Sequence, residues 1–131
     1  MIEDFLELSN CAAELLNGSP KNAVSVFLFL PSRVESELPI LAIAWKEKLP
    51  ELLEFFSARG FRQADKEEAI MVTGYKPGFI PPVSIYGMKV LLDRELEKRN
   101  SLAFRVSVDR FLRISAREII SLNESVEIAG F

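Results

Sequence analysis

The chain contains no histidine and a single cysteine, Cys11, among its 131 residues. Without an imidazole, Ser-His-Asp and Cys-His hydrolysis, His-ligated zinc and a proton relay titrating near pH 7 are all excluded. One thiol can close neither an intramolecular disulfide nor a cysteine-based structural zinc site. No apolar run approaches the ~20 residues that cross a bilayer. The acidic start Met1-Ile2-Glu3-Asp4 is unlike a secretory signal or an Arg-rich transit peptide. The expectation is therefore a cytoplasmic protein with no membrane partner. What is present is ordinary for a folded domain: 49% hydrophobic, 27% charged and 10% aromatic residues. The length suits one domain, spanning 1–131, with one sizeable core.

Charge is distributed unevenly around a net of −3. The first twenty residues hold the acids Glu3, Asp4, Glu7 and Glu14 and no base. Residues 98–117 hold Lys98, Arg99, Arg105, Arg110, Arg113 and Arg117 against the one acid Asp109. Such a local excess can face phosphates and gain by counterion release. It can equally be a set of arginines scattered over several strands to solvate the surface, because the pI near 5.1 is not that of a general nucleic-acid binder.

Periodicity orders the elements. Ile2, Phe5, Leu8, Ala12 and Leu15 recur at helical spacing, and Gly18-Ser19-Pro20 stops that helix near residue 17. Ala23–Leu30 is a continuous β-branched and aromatic run, the pattern of a strand buried on both faces. Leu38–Trp45 reads as a second such strand. Pro50 suits a first helical turn, with Leu52, Leu53, Phe55 and Phe56 as the apolar stripe of a helix running towards Gly60. Asp65-x-x-Glu68 and Ser115-x-x-Glu118 are capping boxes opening two further helices, the first ended by Gly74 and the second running through Leu122. Between Tyr75 and Tyr86, three prolines and a glycine exclude regular structure. Lys89–Asp93, Leu102–Val108 and Ser125–Ile128 read as strands, the last at an edge. Helices and strands mix irregularly, so the expected fold is α/β of the α+β kind, a mixed sheet or small barrel with helices packed outside.

The Gly- and Pro-rich loop Thr73-Gly74-Tyr75-Lys76-Pro77-Gly78-Phe79-Ile80-Pro81-Pro82 is the most informative segment. A loop of fixed shape can aim backbone N–H groups at a carbonyl or a developing oxyanion without any titrating side chain. It can also be no more than a rigid connection. Ser25, Thr73, Ser84 and Ser107 have no imidazole to activate them and suit strand-face or capping roles. Cys11 reads as a small packed residue, and Trp45 as a core or rim residue. Glu67 and Glu68 are accounted for by helix capping.

Ala64, Glu67-Glu68, Thr73-Gly74-Tyr75, Pro77-Gly78, Pro82 and Val90-Leu91-Leu92-Asp93 together resemble the signature of the YbaK/prolyl-tRNA-editing-domain family, with Gly78-x-x-x-Pro82 matching the family's Gly-x-x-x-Pro loop. Weaker matches, at Ala12-Ala13, Val24–Phe29, Asp93-Arg94-Glu95-Leu96 and Arg113-Ile114-Ser115, extend it over most of the chain. The resemblance implies an aminoacyl-tRNA deacylase, hydrolysing the ester between a wrongly attached amino acid and the 3′-terminal ribose, tRNA-Pro included. It implies no metal and no cofactor, because the substrate's own ribose hydroxyl activates the water while the loop and a lysine position and polarise the carbonyl. On this reading Gly78, Pro82 and Ser25 are the catalytic positions. Thr73, Gly74, Tyr75, Phe79 and Asp109 bound the substrate pocket. Lys76, Arg105 and Arg110 face the nucleic acid. The partner is the 3′ end of a mischarged tRNA, with an aminoacyl-tRNA synthetase or a second copy of the chain as further candidates.

Three departures stand out. The family's lysine in a Val-Lys-Thr/Ser-Leu strand falls on Ser25, with Lys21, Lys76 and Lys89 as candidates to supply a cation in its place. Phe79 replaces a second loop glycine, and Ser107-Val108-Asp109 stands where Ser-Ala-Gly is common. A bulky Phe79 and an acidic Asp109 are expected to narrow or repel a pocket. The alternative is a catalytically inactive relative that binds tRNA or a protein through the same fold.

Overall fold

The computed structural model describes residues 23–32, 38–83, 88–107, 110–123 and 125–131. The helix expected over 2–17, with Cys11, and the positions Lys21, Ser84, Tyr86, Val108 and Asp109 lie outside them. Seven strands among these residues form one mixed sheet: β1 (Ala23–Pro31), β2 (Ile40–Trp45), β3 (Phe61–Gln63), β4 (Lys89–Asp93), β5 (Leu102–Ser107), β6 (Arg110–Ile114) and β7 (Val126–Ala129). Their order is β6-β5-β1-β2-β4-β7, with β3 pairing on β1. Among the described residues three α-helices pack on the sheet: α1 (Leu49–Ser57), α2 (Lys66–Thr73) and α3 (Ala116–Leu122).

The apolar runs divide by parity, as strand geometry requires. Val24, Val26 and Leu28 of β1, Leu41 and Ile43 of β2, and Val90 and Leu92 of β4 enter one core, together with Ala69 of α2, Ile119 of α3 and Ile80 of the loop. The alternate positions Phe29, Ile40, Ala42, Ala44 and Leu91 enter a second core, with Leu52 and Phe56 of α1. Phe29 and Phe56 stack at 4.1 Å between ring centroids. The central strands therefore read as unbroken apolar runs because each faces a core on both sides.

Both capping boxes form as the sequence predicts. Gly74 ends α2 in the left-handed region, at φ 82°, and Pro50 lies in the first turn of α1. Two expectations need correction. Leu38 is not in a strand and is 60% exposed, and Leu53 faces outward from α1 because the helical face set by Leu52 and Phe56 excludes it. β3 and β6 carry no legible apolar alternation, Phe61-Arg62-Gln63 being held by pairing with Leu30 and its neighbours.

Candidate functional site

Local chemistry fixes the loop after α2. The Thr73 hydroxyl donates to the Ala69 carbonyl at 2.7 Å, and Thr73 Oγ1 accepts from the Tyr75 N–H at 3.0 Å. The Phe79 N–H donates to the Lys76 carbonyl at 3.0 Å across Pro77-Gly78. Gly78 has φ +88°, which with Pro77 before it makes the arrangement of a type II turn, where only glycine is at ease in the third position. At the loop's far end, buried Asn123 at the end of α3 donates from Nδ2 to the Pro82 carbonyl at 3.1 Å and to the Ile119 carbonyl at 2.7 Å. Gly74, Tyr75 and Phe79 amides are thus spent inside the segment. The Gly78 N–H is not engaged by any described residue.

A gap in the sheet lies beside this loop. On its edge away from β2, β1 pairs with β5 only at Ala23 and Val24, and with β3 only at Phe29–Pro31. The Leu28 carbonyl turns to that edge, accepting from the Ala64 N–H at 2.9 Å. Strand alternation then points the Val26 N–H and C=O to the same edge, where neither ladder reaches them. The opening forms a cavity of about 190 Å³. Its walls are Ser25 to Leu28 of β1, Lys46 and Leu49 after β2, Gln63, Ala64 and Ala69, and Pro77, Gly78 and Ile80 of the loop.

Ser25 and Gly78 thus meet at one cavity although 53 positions separate them (78 less 25). Pro82 is buried at the loop's end, and Thr73, Gly74 and Tyr75 brace it without lining the cavity. Phe79 is half-buried and is not among the lining residues. Lys76 is exposed on the turn. Lys89 lies elsewhere, paired with Glu127 at 3.3 Å, on the wall of a separate 490 Å³ cavity bounded by α1. Arg105 is exposed on β5, and the β5–β6 register puts it on the same face as exposed Arg113, while Arg110 opens β6 opposite Ser107. No group of metal-ligating side chains occurs among the described residues, and no described helix is long and apolar enough to cross a membrane.

Sequence reasoning missed Lys46, the Val26 main chain and Asn123. Lys46 carries no motif and reaches the cavity only through β1–β2 pairing. Strand β1's open edge depends on where β3 and β5 stop. Asn123 would have read as an ordinary helix end.

A buried ion pair steadies the wall. Asp93, at the end of β4, has its side chain 1% exposed and accepts from Lys48 Nζ at 2.8 Å and from the Glu95 N–H at 3.2 Å. Burial alone would push the Lys48 ammonium down, but the hydrogen bond and charge of Asp93, with Glu95, hold it above its ordinary range.

Solved structures share this fold. One is described as a "hypothetical protein APE2540", with TM-score 0.64 and 22% identity over 92% of this chain and 81% of that one. Another is described as a "putative trans-editing enzyme for prolyl tRNA synthetase", with TM-score 0.66 and 21% identity over 93% and 77%. No curated protein matches. The family model for the aminoacyl-tRNA editing domain matches residues 12–119, most of the chain and all of the cavity. The chain belongs to the aminoacyl-tRNA editing domain family.

Proposed function

We propose that the protein is an aminoacyl-tRNA deacylase acting in trans, in the cytoplasm, as a single editing domain. One observation carries this reading: the Ser25 strand and the Gly78 loop, the two segments to which the family's signature assigns the chemistry, open onto one unfilled cavity. The aminoacyl group enters that cavity and its ester carbonyl takes a hydrogen bond from the Gly78 N–H. Water adds to the carbonyl carbon and its proton passes to the ribose hydroxyl next to the ester. The carbon–oxygen bond to the ribose then breaks, and the leaving ribose oxygen takes the proton that this neighbouring hydroxyl hands on, so the hydroxyl ends as it began. The developing oxyanion is stabilised by a preorganised amide, so no imidazole is required.

Ser25 and Pro82 shape the two ends of the site, Thr73, Gly74 and Tyr75 hold the loop, and Phe79 backs it. Asp109, which the resemblance also assigns to the pocket, lies outside the described residues. Lys76, Arg105 and Arg110 serve the tRNA side. A volume near 190 Å³ is room for about six waters, which favours a small amino acid. The neighbour's description makes mischarged tRNA-Pro the first substrate to assay.

Ser25 itself favours a second reading, because a serine there removes a charge-assisted contact worth about 1.5–3 kcal/mol. In that reading the protein binds tRNA, or a synthetase, without hydrolysis. Deacylation of a panel of mischarged tRNAs, tRNA-Pro carrying alanine among them, separates the two. Ester loss above the spontaneous rate is expected for a small amino acid, and tRNA binding with no such loss would sink the deacylase.

A further inference from the structure

We infer that Lys46 is the substrate-contacting cation of this site, gripping the 3′-terminal phosphodiester of the RNA at the cavity mouth. The inference rests on the deacylase reading for the identity of the substrate. It adds a residue that no sequence motif marks.

The geometry follows from strand pairing. Ser25 lies directly opposite Ala44 in the β1–β2 ladder, so the two share a face of the sheet. Lys46 comes two residues after Ala44, at the start of the short 3₁₀ turn Lys46–Lys48, and lines the same cavity as Ser25 and Gly78. The strand that lost its lysine is therefore flanked by a neighbour that brings one to the same opening.

Lys46 is exposed and forms no ion pair with any described residue. Its turn is nonetheless fixed, because Lys48 two residues on is anchored to buried Asp93 at 2.8 Å. An ammonium with no ion-pair partner among the described residues, on an anchored turn, is poised for an external anion. Size decides which anion. A cavity of about 190 Å³ falls below the ~300 Å³ lower end of drug-sized ligand pockets. It admits an aminoacyl group and leaves the nucleotide outside. Lys46 is exposed and lines that cavity, so on this reading it is left for the sugar-phosphate outside.

Two measurements test this. The first is fluorescence anisotropy with an uncharged RNA hairpin ending in CCA, for the wild type, Lys46→Ala, Lys46→Arg and, as a charge control on the far cavity, Lys89→Ala. Lys46→Ala is expected to weaken binding about three- to tenfold and to flatten the slope of log K against log salt by about 0.7, one single-strand phosphate. Lys46→Arg and Lys89→Ala should keep the wild-type slope. The second is steady-state deacylation, where Lys46→Ala should raise KM with kcat within about twofold, the mark of a contact made equally in ground and transition states. Unchanged affinity and KM would overturn the assignment, as would a fall in kcat at constant KM, which would place Lys46 on the reacting carbonyl. If the wild type binds the hairpin and hydrolyses no ester, the deacylase reading fails while the anisotropy arm still decides Lys46.

Discussion

Glu68 shows how one side chain can serve two local needs. It completes the capping box at Asp65 and takes a bidentate pair from Arg62, at 2.7 and 2.6 Å. The Arg62 hydrogen bond first, and the Asp65 backbone N–H second, hold its carboxyl down to about 2 from an ordinary 4.5. A depressed carboxylate stabilises the fold fully above its unfolded value and loses that contribution as pH falls towards the folded one. The wild type should therefore melt higher than Glu68→Gln above about pH 4.5, and the gap should close by about pH 2. Melting curves of both proteins across that range would show it; a gap that stays constant would mean that charge plays no part. The capping box was legible because Asp65-x-x-Glu68 is a local pattern. Arg62 was not, since it comes from a strand that only pairing with β1 defines.

At the scale of elements, the loop 75–83 is held at both ends by side chains of helices. Thr73 closes the α2 end within its own turn, which a reader of Thr73-Gly74-Tyr75 can foresee. Asn123 closes the other end from 41 residues away, and nothing in the sequence announces it. Replacing Asn123 with Ala leaves the buried Pro82 carbonyl without that donor, at a cost of about 1–3 kcal/mol. The expected result is a lower melting temperature and faster amide exchange in the loop, with protection of β1 retained. Exchange that rises equally in β1 and the loop would show that Asn123 serves global stability rather than the loop.

For the whole molecule, the two-sided sheet sets both stability and site. α1 forms the helical side of the second core, where Phe56 stacks on Phe29 and meets Phe55 and Phe61 edge-on. Phe56→Ala should cost about 3–5 kcal/mol, a large part of the roughly 5–15 kcal/mol available to a domain. Urea titration should show a lower midpoint at unchanged slope; a midpoint within experimental error of the wild type would mean that the α1 layer contributes little.

Sequence alone determined the elements whose signals are local: the double-faced run at Ala23–Leu30, the strand at Lys89–Asp93, the two capping boxes, the irregular Gly- and Pro-rich loop after Thr73, and the absence of any imidazole chemistry. Those are consequences of backbone geometry and side-chain type over a few residues. Tertiary structure alone decided where β1 is left unpaired, because that depends on where β3 and β5 stop. It also decided that Lys46 rather than Lys89 shares a cavity with Ser25, since Lys46 follows the end of β2 while Lys89 opens the parallel neighbour β4 at the opposite end of the pair. A missing lysine can be read from one strand; its replacement can be found only across the ladder that joins it to the next.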